Sequence, residues 1–180
     1  MYKLCATERS AQNQKRLESA FLNLALQQNY DGITISAICR EAELSRKVFY
    51  RLFENKNDVL YALIDHTLAA MEAYRPEQTP MYRFFSFWKE QKPLLDAMDL
   101  SQCNALLMDR VVRFALNNHT TFLWDLSPQL MQCDRNALIF YISGIFGMML
   151  DWHVRGYDSS IEEMSRKLVT LLTVPLYCVP

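Results

Sequence analysis

Residues 34–56 have the sequence TISAICREAELSRKVFYRLFENK, in which two short amphipathic segments are separated by a break of three residues. In the first segment, apolar side chains follow the i, i+3, i+4, i+7 spacing of one helix face, at Ile35, Ile38, Cys39 and Ala42. Thr34 and Ser36 are residue types that cap helix starts, and Ser45 can cap the second segment. Two short helices joined by a tight turn predict a helix-turn-helix motif.

The second segment separates apolar from basic side chains. Helical spacing turns one set inward, namely Phe49, Leu52 and Phe53, and leaves another outside, namely Arg46, Lys47, Tyr50 and Arg51. The stretch 44–56 has four basic residues against a single acidic one, although the whole chain of 180 residues has a net charge of −1. Local charge therefore predicts a surface for phosphates and base edges. The alternative is the solvated face of an ordinary helical bundle.

A set of residues at fixed spacing resembles the N-terminal DNA-binding domain of TetR-family repressors: Tyr30, Thr34, Ile38, Cys39, Ala42, Ser45, Phe49, Tyr50, Phe53, Lys56, Val59 and Leu60. The resemblance covers about residues 12–62. The chain departs from the family at Arg46-Lys47-Val48, where small residues are common, and in the turn Ala42-Glu43-Leu44, which has no glycine. We expect a non-glycine residue of this turn to take a left-handed conformation at a cost of about 1 kcal/mol.

Two kinds of contact with double-stranded operator DNA are expected. The base-reading residues are predicted to be Arg46, Lys47 and Arg51, with the first two best placed for guanine O6 and N7. The phosphate contacts are predicted at Thr34, Ser36, Ser45, Tyr50 and Lys56. Hydroxyls at helix starts lie beside N–H groups that bind anions, a tyrosine hydroxyl can donate to phosphate, and an ammonium supplies a point charge.

The composition indicates an all-α protein, because it is 51% hydrophobic with only four glycines and six prolines. The length of 180 residues, of which the helical head accounts for about 50, indicates two domains. Residues 1–56 are predicted to form the DNA-binding domain, followed by a connecting helix of about 56–74. Residues 76–180, beginning at the linker Pro76–Pro80, are predicted to form a helical effector-binding and dimerisation domain. Further helices are expected at about 12–28, from 82 to the break at Pro93, and at 94–100, 101–118, 129–155 and 159–173, with a loop at 120–128.

The helix of about 129–155 is apolar on nearly every side, so we expect it to be buried all round. In a soluble protein, such burial calls for a partner. The resemblance implies the same, because TetR-family dimers are built from the last two long helices of each subunit. The residues predicted to form a homodimer interface are Ala137, Tyr141, Gly144, Met148, Leu168 and Leu172.

Aromatic and methionine side chains are abundant in residues 82–152. Each one is individually more often part of a core, but together with the resemblance they favour a cavity for a small apolar or aromatic effector. The residues predicted to line it are Phe84, Trp88, Met108, Phe114, Phe140 and Trp152; Phe122 and Trp124 belong to the same aromatic set.

Other classes of function lack support in the sequence. The five cysteines (5, 39, 103, 133 and 178) form no Cys-x-x-Cys pair, which favours reduced thiols in a cytoplasm. His66, His119 and His153 share no metal-ligand spacing, so neither a metal nor another cofactor is expected. No phosphate loop, nucleophile elbow or pair of carboxylates indicates an enzyme, and the longest uncharged run, Asn136–Leu150, is too short to span a membrane.

These observations predict a transcriptional regulator. The resemblance implies a ligand-responsive repressor that binds a palindromic operator as a homodimer. The implied mechanism is a ligand-driven tilt of the 56–74 helix, which changes the spacing of two DNA-binding heads about 34 Å apart. The rival interpretation is a helical small-molecule-binding or redox-sensing module, with Cys103 and Cys133 as the redox pair and a vestigial DNA head.

Overall fold

The structure, a computed structural model, describes residues 7–74, 78–118 and 134–173. Those residues form helices and no strand, so the predicted all-α fold is confirmed. The α-helices are α1 Glu8–Ala25, α2 Ile35–Glu41, α3 Arg46–Leu52, α4 Lys56–Ala73, α5 Pro80–Glu90, α6 Lys92–Leu100, α7 Asn104–Asn118, α8 Arg135–Val154 and α9 Ile161–Thr173, with a 3-10 turn at Tyr30–Gly32.

Side-chain caps explain where most of these helices begin. A hydroxyl or carboxylate accepts the N–H of the residue three positions on at Thr7, Thr34, Ser45, Thr79 and Asp134. At α4 the cap is Asn55, whose Oδ1 accepts from the N–H groups of Asn57 at 2.9 Å and Asp58 at 3.2 Å. The Asp58 carboxylate accepts in return from the N–H of Glu54 at 3.0 Å, one residue before the cap.

The chain divides into two compact units, of which the first comprises residues up to Ala69 together with Pro93–Arg110. In this unit α1, α2 and α3 pack against one another. Their fully buried side chains include Leu17, Phe21, Ile38, Phe49 and Phe53. Burial of this apolar surface, at about 25 cal/mol per Å², fixes the three helices as one block.

The second unit comprises Ala70–Lys92 and the chain from Val111 onward. Here α5 packs against both α8 and α9. The contact is aromatic: the ring of Trp88 lies 4.8 Å from that of Phe146, and the ring of Phe85 lies 5.6 Å from that of Trp152, both edge to face. The Trp152 indole N–H donates to the carbonyl of Ser159 at 3.1 Å, which ties the end of α8 to the start of α9.

Helix α8 is not buried all round, in contrast to the sequence prediction. Phe140 is 60% exposed and Gly144 is exposed, because α5 and α9 leave part of the α8 surface uncovered. By length and composition Arg135–Val154 would be able to cross a membrane, although a single helix of this kind is weak evidence for that. An apolar helix of a water-soluble protein meets the same criterion when a partner covers it.

Several predictions fall outside the described residues. These concern Cys5, Cys133, Cys178, His119, Phe122, Trp124, the loop at 120–128 and the first residues of both the linker Pro76–Pro80 and the helix 129–155. The predicted division into domains 1–56 and 76–180 stays a prediction about independent folding.

Candidate DNA-binding surface

The turn between α2 and α3 orients the second helix of the motif. Glu43 has a φ of 52°, so a non-glycine residue adopts the left-handed conformation as expected. Its N–H donates to the Arg40 carbonyl at 3.1 Å, and the N–H of Leu44 donates to the Cys39 carbonyl at 2.9 Å. This pair of bonds is a Schellman motif, which ends α2 and sends the chain directly into α3.

Helix α3 has one buried and one exposed side. Phe49 and Leu52 are buried beneath it. The exposed side carries the three predicted base-reading residues, Arg46, Lys47 and Arg51, all exposed. Tyr50 is 48% exposed, and its ring meets the ring of Phe49 edge to face at 5.5 Å, so its side chain rests on the unit and is also open to solvent.

The predicted phosphate-binding hydroxyls have structural partners as well. The Thr34 hydroxyl accepts the N–H of Ala37 at 3.1 Å, and the Ser45 hydroxyl accepts the N–H of Val48 at 3.3 Å. Each hydroxyl oxygen therefore caps a helix, while its O–H remains a donor for an anion. Ser36 is exposed on the first turn of α2.

Lys56 has partners that the sequence did not reveal. Its ammonium donates to the carbonyls of Tyr30 at 2.8 Å, Ile33 at 3.2 Å and Asp31 at 3.4 Å. No sequence signal could have identified this arrangement, because backbone carbonyls are present at every residue. Phosphate contact by Lys56 stays a prediction, and the structure gives the side chain a second role.

Two ion pairs join helices of the first unit that are distant in sequence. His66 Nδ1 of α4 lies 2.9 Å from the Glu18 carboxylate of α1, and this hydrogen bond raises the pKa of His66. Arg110 of α7 donates its Nε–H to Asp65 at 3.1 Å, forms a second bond to the same carboxylate, and stands 4.9 Å from the Tyr61 ring centre. Neither pair was predicted, because no local spacing connects residues so distant in sequence.

The two described cysteines, Cys39 and Cys103, show no sign of activation. Cys39 and Cys103 are free thiols, and burial raises the pKa of both. A raised pKa lowers the thiolate fraction, and the thiolate is the reactive form. Among the described residues, no group of three His, Cys, Asp or Glu side chains comes together as a metal site.

The predicted interface residues of the second unit occupy different environments. Gly144 is exposed, and a Cβ built there or at Gly147 would have no atom within 4 Å. Three other predicted residues of α8, Ala137, Tyr141 and Met148, are half-buried, as is Leu172 of α9. Leu168 differs, because it is only 2% exposed and belongs to the core of its own unit.

A groove follows the exposed surface between α8 and α9. It has a volume of about 470 Å³ and is lined by Met148, Glu163, Arg166, Lys167, Thr170 and Leu171. Leu171 is 59% exposed. An apolar floor with a charged rim is the usual composition of a protein interface.

The predicted effector-pocket residues also differ in how far they are buried. Phe84, Trp88 and Trp152 are buried in the aromatic core of the second unit, whereas Met108 and Phe114 on α7 are half-buried. Phe140 is mostly exposed, which fits a surface residue better than the wall of a closed cavity. The indole N–H of Trp88 is buried and has no hydrogen-bond acceptor among the described residues.

Comparisons with known proteins agree on the first unit. Residues 19–63 match a family described as bacterial regulatory proteins, tetR family. An uncharacterized HTH-type transcriptional regulator of Bacillus subtilis (strain 168), YxbF, is 39% identical over 62 residues, which are 34% of this chain and 16% of that protein. The chain thus matches only a small part of this relative's length.

Solved structures are similar over most of the chain. A TetR transcriptional regulator from Streptococcus agalactiae 2603V has a TM-score of 0.61 at 14% identity, covering 91% of this chain and 95% of that one. The dihydroxyacetone kinase operon activator DhaS has a TM-score of 0.58 at 17% identity, covering 89% and 93%. At such identities the likeness shows a shared fold, an N-terminal helix-turn-helix followed by a helical domain.

Proposed function

We propose that this chain, whose residues 19–63 match the tetR family, is a transcriptional regulator of that family, which binds a palindromic operator as a homodimer and releases it when a small ligand binds. The family match of residues 19–63 and the HTH-type relative support DNA binding and regulation of transcription as parts of this proposal. The relatives are regulators of transcription, which agrees with the expectation that the chain is not an enzyme. The operator, the dimer, the ligand and the direction of regulation are the proposal.

The observation that carries DNA recognition is the exposed side of α3. Arg46, Lys47 and Arg51 are exposed on a helix whose opposite side is anchored by Phe49 and Leu52. An anchored helix holds its cations in a fixed geometry, which is what bidentate contact with guanine O6 and N7 requires. Thr34, Ser36, Ser45 and Tyr50 surround these cations with hydroxyl donors for phosphates.

The uncovered face of α8 supports the homodimer. In the middle of α8 the exposed or half-buried residues Phe140, Tyr141, Gly144, Gly147 and Met148 are apolar or small. The open space above Gly144 and Gly147 leaves room for a helix of a second copy to approach closely. The groove beside α9 extends the same face. A dimer would place two recognition helices about 34 Å apart in successive major grooves, hence a palindromic operator.

The aromatic second unit supports a ligand of apolar or aromatic character. Adaptable aromatic and methionine side chains surround α5 and α8, and such side chains typically wall ligand cavities. Coupling between the ligand and DNA would amount to about 1 to 3 kcal/mol, as in most allosteric proteins. Repression is proposed from the family resemblance, and the structural neighbour named an operon activator provides the opposite outcome for the test.

The test begins with DNA. The full-length chain is used to select duplexes from a random pool, and binding of the selected duplex is measured by fluorescence anisotropy. Enrichment of a sequence with twofold symmetry, bound by two copies of the chain, is the expected result. Selection of asymmetric sites, or of none, would contradict the proposal. In vitro transcription from a promoter containing the selected site then distinguishes repression from activation.

A further inference from the structure

The ammonium of Lys56 is enclosed by main-chain acceptors. An ammonium has three N–H donors, and three carbonyl oxygens, those of Tyr30, Asp31 and Ile33, lie within 3.4 Å of Nζ. The same Nζ stands 4.2 Å from the centre of the Tyr30 ring, a cation–π distance. The donors are therefore all directed at the chain segment that connects α1 to α2.

That segment is itself fixed to α1 and α4. The Tyr30 ring meets the ring of Phe21, a fully buried residue of α1, edge to face at 6.1 Å. Burial raises the pKa of Tyr30 to about 12, so its hydroxyl stays protonated and donates to Asn57 Oδ1. Lys56 and Asn57 thus join the first turn of α4 to the segment that precedes the helix-turn-helix.

The start of α4 determines where the recognition helix α3 ends. Only three residues separate the two helices, and each is held: Phe53 is fully buried, the Glu54 N–H is bonded to Asp58, and Asn55 caps α4. A connection this short and this constrained transmits a displacement of α4 directly to α3.

We propose that Lys56 is a positioning residue, which sets the angle of α3 on the first unit by tying α4 to the carbonyls of Tyr30, Asp31 and Ile33. This proposal rests on the DNA-binding function proposed above. A phosphate oxygen would have to displace one of these carbonyls from an ammonium that is half-buried. Lys47 offers the contrast, because it is an exposed lysine on α3 itself.

A positioning role and a phosphate-contact role of Lys56 predict different dependences of DNA affinity on salt concentration. A cation that contacts phosphate releases a counterion, so its removal lowers the slope of log K against log salt by about one per head. A positioning residue contributes no such ion. Its loss instead weakens the fit of α3 in the major groove, which matters for a selected duplex and matters little for random DNA, where binding is electrostatic.

The experiment compares Lys56→Met with the matched control Lys47→Met in the full-length chain. Each is titrated with the selected duplex and with a random duplex of equal length at several salt concentrations, at a temperature where circular dichroism shows both folded. On random DNA Lys47 has no preferred base, and its exposed ammonium acts there as a counter-charge for the phosphates, so we expect Lys47→Met to lower the slope on random DNA by about one ion per head. We expect Lys56→Met to keep that slope and to bind the selected duplex roughly tenfold more weakly, but random DNA less than about threefold more weakly.

Lys56→Arg keeps the charge and serves if Lys56→Met does not fold. A planar guanidinium cannot direct three donors at three carbonyls around one nitrogen. It should therefore weaken binding to the selected duplex severalfold and leave the slope unchanged, whereas a phosphate ligand would tolerate arginine.

Three results would overturn the positioning role. The first is that Lys56→Met lowers the salt slope as much as Lys47→Met does. The second is that folded Lys56→Met binds both duplexes with wild-type affinity. The third is that Lys56→Arg binds the selected duplex with wild-type affinity. Failure of the wild-type chain to bind either duplex would instead refute the proposed function, so the two failures are distinct.

Discussion

Helices α3 and α8 both present an outer surface that their own unit does not cover, and the two surfaces differ in chemistry. Arg46, Lys47 and Arg51 are exposed on α3, a helix of seven residues. On α8, a helix of 20 residues, the exposed surface includes Phe140 and Gly144. Charged side chains lose nothing by facing water, whereas exposed apolar surface costs about 25 cal/mol per Å².

The difference explains what each surface requires. The α3 surface needs no second chain to hold its shape, because its geometry is set by the cap at Ser45, the turn at Glu43 and the buried Phe49. The apolar side chains of the α8 surface remain in contact with water, at a cost in free energy, until apolar atoms cover them. The first surface therefore depends on contacts within its own unit, whereas the second, in the homodimer that we propose, depends on a partner.

Gly144→Arg should have the largest effect, which is on dimerisation and not on the fold of the single chain. Open space above Gly144 accommodates arginine in the single chain, and arginine is a better helix former than glycine. In a dimer, however, the guanidinium would be buried without a counter-charge, at a cost of about 3 to 5 kcal/mol. We expect a folded monomer by size-exclusion chromatography with light scattering at micromolar concentration.

The control for this variant is Ala105→Arg, on an exposed position of α7 outside the predicted interface. It should remain dimeric. If Gly144→Arg also elutes as a dimer, the assignment of the α8 face to the interface is wrong.

Arg46→Ala tests the exposed basic surface of α3. Loss of a bidentate contact with guanine should cost about 1 to 3 kcal/mol on the selected duplex and far less on random DNA. Tyr50→Phe is the matched comparison, because loss of a phosphate contact should weaken both duplexes equally. Competition titrations at two salt concentrations measure both. Equal weakening of the two duplexes by Arg46→Ala would make it a backbone contact and leave base reading to Lys47 or Arg51.

The sequence predicted the helices and turn of residues 34–56 well because their determinants are local. Helix caps at Thr34 and Ser45, and the apolar spacing of α2 and α3, act over three to seven residues and can be identified without a structure. The left-handed turn at Ala42-Glu43-Leu44 was predicted for the same reason. The Lys56 carbonyl site, the His66–Glu18 pair and the Arg110–Asp65 pair were missed, because they join residues that only the fold brings together.

Prediction was weaker for the second unit because hydrophobicity alone does not specify a neighbour. The uniform apolar character of α8 predicted burial on all sides, yet Phe140 is exposed while Leu168, predicted to face a partner, is buried in its own unit. Apolar side chains at core and interface positions are chemically alike. Only the packing of α5 against α8 and α9 separates them.

Glu43→Gly should produce a smaller effect, a gain of about 1 kcal/mol in the stability of the first unit. Glycine adopts a φ of 52° without the steric cost that glutamate incurs. The substitution also removes the Arg16–Glu43 contact at 3.5 Å, but both side chains are largely exposed, so that loss is small. Glu43→Ala loses the same contact and keeps the strain, so the difference between the two variants in chemical denaturation isolates the turn. No difference would mean that the turn carries no strain.

The smallest expected effect concerns the His66–Glu18 brace and appears as a dependence on pH. The hydrogen bond to Glu18 raises the pKa of His66 in the folded chain, so the folded state binds the proton more tightly than the unfolded chain. The resulting stabilisation is fully present below the unfolded pKa of about 6.5 and is lost as the pH rises through the raised folded value. Because His66 is nearly half exposed, we expect less than about 1 kcal/mol. Urea unfolding should therefore show that wild-type stability declines between pH 5.5 and 8.5. The decline should be smaller in His66→Gln and in Glu18→Gln. Once a constant difference in stability is subtracted, both variants should match the wild type at the alkaline end. A decline of the same size in His66→Gln would assign the pH dependence to other groups.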